Sequence, residues 1–128
     1  MNKLKNIAKS TIVILTILFG NSLLGQNLKL KIYNKTGFDL DSVVVGEKYI
    51  GVIKKAASVE ILDCKEISMQ GNIIFGFPAG FVKNKKKNPE QLLLCGTGVT
   101  SVSKGKFKFD LIMEENEFGY RLYWSQHK

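Results

Sequence analysis

KFKFDLIMEENEFGYRLYWS, residues 106–125, carries the strongest structural signal in the chain. Phe107, Phe109, Leu111 and Met113 alternate with Lys106, Lys108 and Asp110. After a turn at 114–119, Tyr120, Leu122 and Trp124 alternate with Arg121, Tyr123 and Ser125. Side chains alternate across a strand, so a period of two places one set inward and the other toward water. Two such runs joined by a short polar segment predict a β-hairpin with an aromatic inner face.

The same period recurs upstream. Leu28, Leu30 and Ile32 alternate with Lys29, Lys31 and Tyr33, and Asn34-Lys35-Thr36-Gly37 supplies a turn. Phe38, Leu40, Val43 and Val45 begin a second strand whose phase slips near Asp41-Ser42, as at a bulge or a short turn. Gly46-Glu47 reverses the chain into 49–53, and a turn at 54–58 leads to Val59-Glu60-Ile61-Leu62. Strands are further expected at 67–71, at 73–77, which ends at Pro78 or lies on a sheet edge, and at 99–102. Between the halves, Asn88-Pro89-Glu90-Gln91 has the makings of a helix start, whereas Leu92-Leu93-Leu94 suits a buried strand equally. Short strands at intervals near ten residues predict an all-β fold, an antiparallel β-sandwich, with a small β-barrel as the alternative.

Asn34-Lys35-Thr36-Gly37, Val43-Val44-Val45 and Ile50-Gly51-Val52-Ile53 together resemble the opening strands of immunoglobulin-like bacterial modules. The chain as a whole is similar to small uncharacterised exported proteins of Bacteroidota. That resemblance implies a location and a fold, and no activity.

Residues 1–25 read as a signal peptide. Lys3, Lys5 and Lys9 precede the apolar run 11–19 (TIVILTILF), and Gly20, Asn21 and Ser22 follow it. The run is about half of the roughly 20 residues that span a bilayer as a helix, so no stable membrane anchor is expected. Uncleaved retention is the minor alternative. Cleavage is expected near Gly25-Gln26, leaving residues 26–128 as a single domain in the periplasm or outside the cell. Ser22-Leu23-Leu24-Gly25 also opens a bacterial lipoprotein box, but Gln26 stands where the acylated cysteine must be.

The leader holds three of the chain's 19 basic residues and none of its 11 acidic ones, so the mature domain carries a net charge of about +5. In an oxidising compartment its two cysteines, Cys64 and Cys95, are expected to form a disulfide. Closing that loop would stabilise the fold by roughly 3–4 kcal/mol.

Catalytic constellations are sparse. The one histidine, His127, stands beside the C-terminus, where a solvated tail is expected, so neither a nucleophilic triad nor a zinc site assembles. Gly96-Thr97-Gly98 precedes a strand-like run rather than the helix that a phosphate loop requires, and reads as a turn. Asp39 and Asp41 could serve a glycosidase or calcium, as could Glu114, Glu115 and Glu117 for calcium, but acids beside turns are usually solvated. Phe75, Phe77 and Phe81 are expected in the core, with an apolar ligand groove as the alternative. Asp41-Ser42-Val43 is similar to the short O-glycosylation acceptor pattern of Bacteroidota.

Lys83, Lys85, Lys86 and Lys87 form the strongest surface feature and are the candidate contact for an anion or a partner. The loop has no aromatic for base stacking, so nucleic acid is not expected as a partner. The chain therefore reads as a non-enzymatic exported module, without cofactor, that contacts a protein or envelope component through its surface. The alternatives are an exported inhibitor or immunity-type factor using the 83–87 loop, and a small apolar-ligand carrier.

Overall fold

The structure, a computed structural model, describes residues 27–89 and 94–128. The expected signal peptide, its expected cleavage bond at Gly25-Gln26 and most of the 89–94 segment lie outside them. Ten strands follow in chain order: β1 Leu28–Asn34, β2 Leu40–Val45, β3 Lys48–Ile53, β4 Ser58–Cys64 and β5 Ile67–Gln70. Then come β6 Ile73–Ile74, β7 Ala79–Val82, β8 Val99–Val102, β9 Gly105–Asn116 and β10 Gly119–Gln126. They form a four-stranded sheet in the order β10-β9-β1-β4 and two three-stranded sheets, β3-β2-β7 and β6-β5-β8. No sheet closes on itself, so the fold is an all-β sandwich rather than a barrel.

The alternation sets the core. Leu28, Leu30 and Ile32 of β1, Phe109 and Leu111 of β9, and Tyr120, Leu122 and Trp124 of β10 are all buried. They share one cluster with Leu40, Val43, Val45, Ile53 and Val82 of the second sheet and Ile67, Met69 and Ile74 of the third. Burying a side chain of this size contributes about 1.5–3 kcal/mol before its ordering entropy is subtracted. The expected bulge is present: the β2–β3 register shifts between Leu40 and Val44, and Ser42 takes φ 53°.

Three features depart from expectation. β1 runs parallel to β9, from Leu28 beside Gly105 to Asn34 beside Leu111, while the other pairings of named strands among the described residues are antiparallel. β7 covers a stretch for which no element was expected. It carries Gly80, where a Cβ would lie 3.3 Å from Val43 Cγ2 and 3.6 Å from Leu122 Cδ1; the absent side chain lets the strand close onto the core. The run 73–77 keeps only two residues as strand, and Phe75 leaves the ladder after its N–H donates to Ser68 O at 2.9 Å.

A buried asparagine fixes the first turn. Asn34 Nδ2 donates to the carbonyls of Phe38 (2.7 Å), Ile53 (3.0 Å) and Lys54 (3.2 Å). Its Oδ1 accepts from Thr36 N at 3.1 Å and Thr36 Oγ1 at 2.7 Å. One side chain thus satisfies turn groups that water cannot reach.

Candidate functional site

The lysine loop is a strap rather than a free tip. After β7 the chain turns through Asn84, whose φ of 63° a short polar side chain tolerates. Tyr120 N then donates to Lys86 O at 3.0 Å and Asn88 N donates to Tyr120 O at 2.9 Å, bridging Lys87 to the start of β10. Tyr120 also accepts at its buried hydroxyl from Val82 N, at 3.0 Å. Gly119 makes the close approach possible: a Cβ there would lie 2.4 Å from Lys86 O and 2.8 Å from Asn88 N.

This arrangement divides the four lysines. Lys85 Nζ donates to both carboxylate oxygens of Glu115, at 2.9 and 3.0 Å, and lies 4.7 Å from the centre of the Phe38 ring. Lys87 Nζ donates to Gly80 O at 3.3 Å and lies 4.9 Å from the Phe81 ring centre. Lys83 and Lys86 are exposed. The run of charge is real, but half of it fastens the loop to the body.

The aromatic segment differs from expectation. Phe77 is 43% and Phe81 55% exposed, and Phe75 is half-buried, so these are not core residues. The ladder ends at Ile74, Gly76 takes φ 100°, which turns Phe75 and Phe77 out along the surface, and Pro78 is buried just before β7. A groove of about 300 Å³ lies on one side, lined by Val44, Ile74, Phe75, Phe77, Ala79 and Trp124 among others. A second, about 360 Å³, includes Ile73, Leu94 and Tyr123. Phe77 meets Tyr123 edge to face at 5.9 Å. Both grooves open to solvent, unlike the enclosed chamber of a carrier.

The expected disulfide is not formed: Cys64 and Cys95 are free. Cys64 ends β4, and its thiol donates to Glu66 O at 3.6 Å. β5 then carries the chain about 10 Å along the sheet. Cys95 is held at the far end of β5, where Gln70 Nε2 donates to the carbonyls of Cys95 (3.0 Å) and Thr97 (2.7 Å). Burial pushes the Cys64 thiol up, whereas hydrogen bonding to Thr97, whose Oγ1 lies 3.1 Å away, holds Cys95 down.

The candidate carboxylates serve the backbone. Asp39 accepts from Lys55 N at 2.7 Å and pairs with Lys54 at 3.5 Å. That N–H and the neighbouring ammonium hold its carboxyl below the usual range. Asp41 accepts from Ser42 N at 2.7 Å and so supports the bulge. Glu115 is taken by Lys85, Glu114 stands opposite Arg121, and Glu117 is exposed. Among the described residues no group of three or more His, Cys, Asp or Glu side chains is placed to hold a metal.

His127 is not a solvated tail. Its ring stacks on Tyr33 at 3.9 Å with an interplanar angle of 4°, and Nδ1 lies 2.7 Å from Asp110 Oδ1. β10 ends one residue earlier, which delivers the imidazole onto the outer sheet face. The pair is an imidazole–carboxylate couple of the kind that activates a nucleophile, but Ser125, opposite Asp110 in register, makes no hydrogen bond to the ring.

That same face bears a feature the sequence reading passed over. Lys29 and Lys31 of β1 lie beside Lys106 and Lys108 of β9. Each pair was visible as the polar side of a strand; their union depends on which strands are neighbours. Compared with family models, curated proteins and solved structures, the chain finds no match in any of the three.

Proposed function

We propose that this protein is an exported, non-catalytic binding module that acts by surface contact with a protein or envelope component. The observation that carries this reading is the outward-facing aromatic segment. Phe77 is exposed where it lines both grooves, and Phe81 is exposed two residues beyond Ala79, which lines one of them; large apolar side chains at a surface are characteristic of contact sites. Export is supported by the basic, apolar and polar regions of residues 1–25.

Affinity capture from envelope extracts tests the contact. A component retained by the mature chain should be lost with Phe77→Ser and Phe81→Ser combined, with unfolding curves showing that the variant still folds. Capture unchanged by that variant would remove the aromatic segment from the reading. Turnover of a substrate from a hydrolase panel, abolished by His127→Ala, would replace the whole reading with an enzymatic one. N-terminal sequencing of native material should begin near Gln26; a soluble cytosolic form starting Met-Asn-Lys would end the export claim.

The inhibitor or immunity-type alternative is favoured by one observation. The 83–87 loop is braced by the two backbone hydrogen bonds to Tyr120, so Lys83 and Lys86 are presented on a pre-organised support. Lys83→Glu with Lys86→Glu should then abolish enzyme inhibition, and unchanged inhibition would exclude this loop.

A further inference from the structure

The parallel pairing of β1 and β9 builds a block of like charge on the outer face of the four-stranded sheet. Lys29 stands beside Lys106, and Lys31 beside Lys108. Neighbouring strands are about 4.8 Å apart, and successive residues on one face about 6.6 Å apart. Four ammonium groups therefore share one small patch. Glu60 of β4 approaches it, 3.7 Å from Lys31 Nζ. Asp110, the next carboxylate along β9, is engaged by His127. Lys35 extends the positive surface, with its Nζ 6.0 Å from the Tyr33 ring centre and that of Lys31 5.4 Å from it.

Like charges directly opposite each other across a sheet are destabilising. Two consecutive rungs break that rule with a single glutamate in partial compensation, and a departure from local consistency is expected where function demands it. The lysines also line a groove of about 410 Å³ together with Glu60, Leu62 and Phe107. Leu62 is 56% exposed and gives the groove an apolar strip.

We infer that this face binds a linear anionic polysaccharide, one whose sugar residues carry carboxylates or sulfates. The inference rests on the surface-contact reading above and names the class of envelope component. A groove fits an extended chain better than the plane of headgroups a lipid surface presents. Single-stranded nucleic acid would need an open aromatic platform. Tyr33, the ring beside these lysines, is already covered by His127, and Phe107 is half-buried beside Phe109. The apolar faces of sugar rings, in contrast, can rest on Leu62 while their acidic groups meet the lysines.

The test titrates the mature chain with alginate and heparin, using neutral dextran, a single-stranded oligonucleotide and phosphatidylglycerol vesicles for comparison. At least one acidic glycan should bind more tightly than all three comparison ligands, and the binding should weaken as salt rises. Lys29→Gln with Lys106→Gln, and Lys31→Gln with Lys108→Gln, should each weaken it tenfold or more. Each variant should keep or raise the melting temperature, because repulsion is relieved. Lys83→Gln with Lys86→Gln should change affinity less than twofold. Equal loss in that last variant would overturn the inference, since binding would then follow net charge alone. No binding to either glycan, or tighter binding to vesicles, oligonucleotide or dextran, would overturn it too. Capture through Phe77 and Phe81 is read separately, so either result can fail while the other stands.

Discussion

Gly119→Ala should be among the most damaging single-methyl additions in this protein, and its cost can be built from the structure. Gly119 has φ 126°, a conformation that L side chains rarely adopt, and forcing one there costs about 1–3 kcal/mol. The new Cβ would overlap the backbone of the strap, so residues 86–88 must withdraw. Both hydrogen bonds joining that strap to Tyr120 would then be lost, at about 1 kcal/mol each. The sum is about 3–5 kcal/mol, a large share of the 5–15 typical of a domain. Gly37→Ala serves as the control: Gly37 also has positive φ (84°), but nothing lies within 4 Å of the added methyl, so only backbone strain applies. Trp124, the chain's single tryptophan, is 8% exposed and reports unfolding by fluorescence. With an m-value of about 1.5 kcal/mol per molar urea, the Gly119→Ala midpoint should fall by roughly 2–3 M. The control, with backbone strain alone, should fall by roughly 1–2 M. Equal shifts in the two variants would refute the strap as a structural constraint.

Other outcomes follow from the same contacts. Asn34→Ala should destabilise by about 2–4 kcal/mol in urea titration, because turn groups lose a buried partner they share; a loss under about 0.5 kcal/mol would mean that water replaces it. Asp39 has a folded pKa below its unfolded value, so its contribution is present above the unfolded pKa and disappears as pH falls through the folded one. Asp39→Asn should therefore be the less stable protein at pH 7 and indistinguishable from the parent near pH about 2, and a constant difference across that range would contradict the assignment. Thiol labelling of the native chain should show two reactive groups, the exposed Cys95 modified well before the half-buried Cys64. A single rate for both would show that their surroundings are alike.

Much of this fold was legible because each strand buries one side. Leu28, Leu30 and Ile32, and the 106–125 hairpin, announce their inward faces by period alone, and the phase slip at Asp41-Ser42 marks its bulge. Period two does not reveal which strand lies beside which, so the parallel β1–β9 contact and the lysine block that it creates could not be read. β7 escaped because Gly80 adds no apolar signal while its neighbour Phe81 faces outward. The cysteines misled for a different reason: the expected export argues for oxidation, but geometry decides whether two sulfurs meet. The lysine run was plain in the sequence, yet only the hairpin it straps shows that Lys85 and Lys87 are committed to the fold.

The place of β1 has a consequence for synthesis. The first strand of the domain sits inside its sheet, and one flank waits for β9, near the opposite end of the polypeptide. A fragment emerging from the ribosome therefore cannot complete the sheet until β9 has been made. A pairing of such long sequence separation must meet its loop-closure cost before its contacts form, so this sheet should be slow to close.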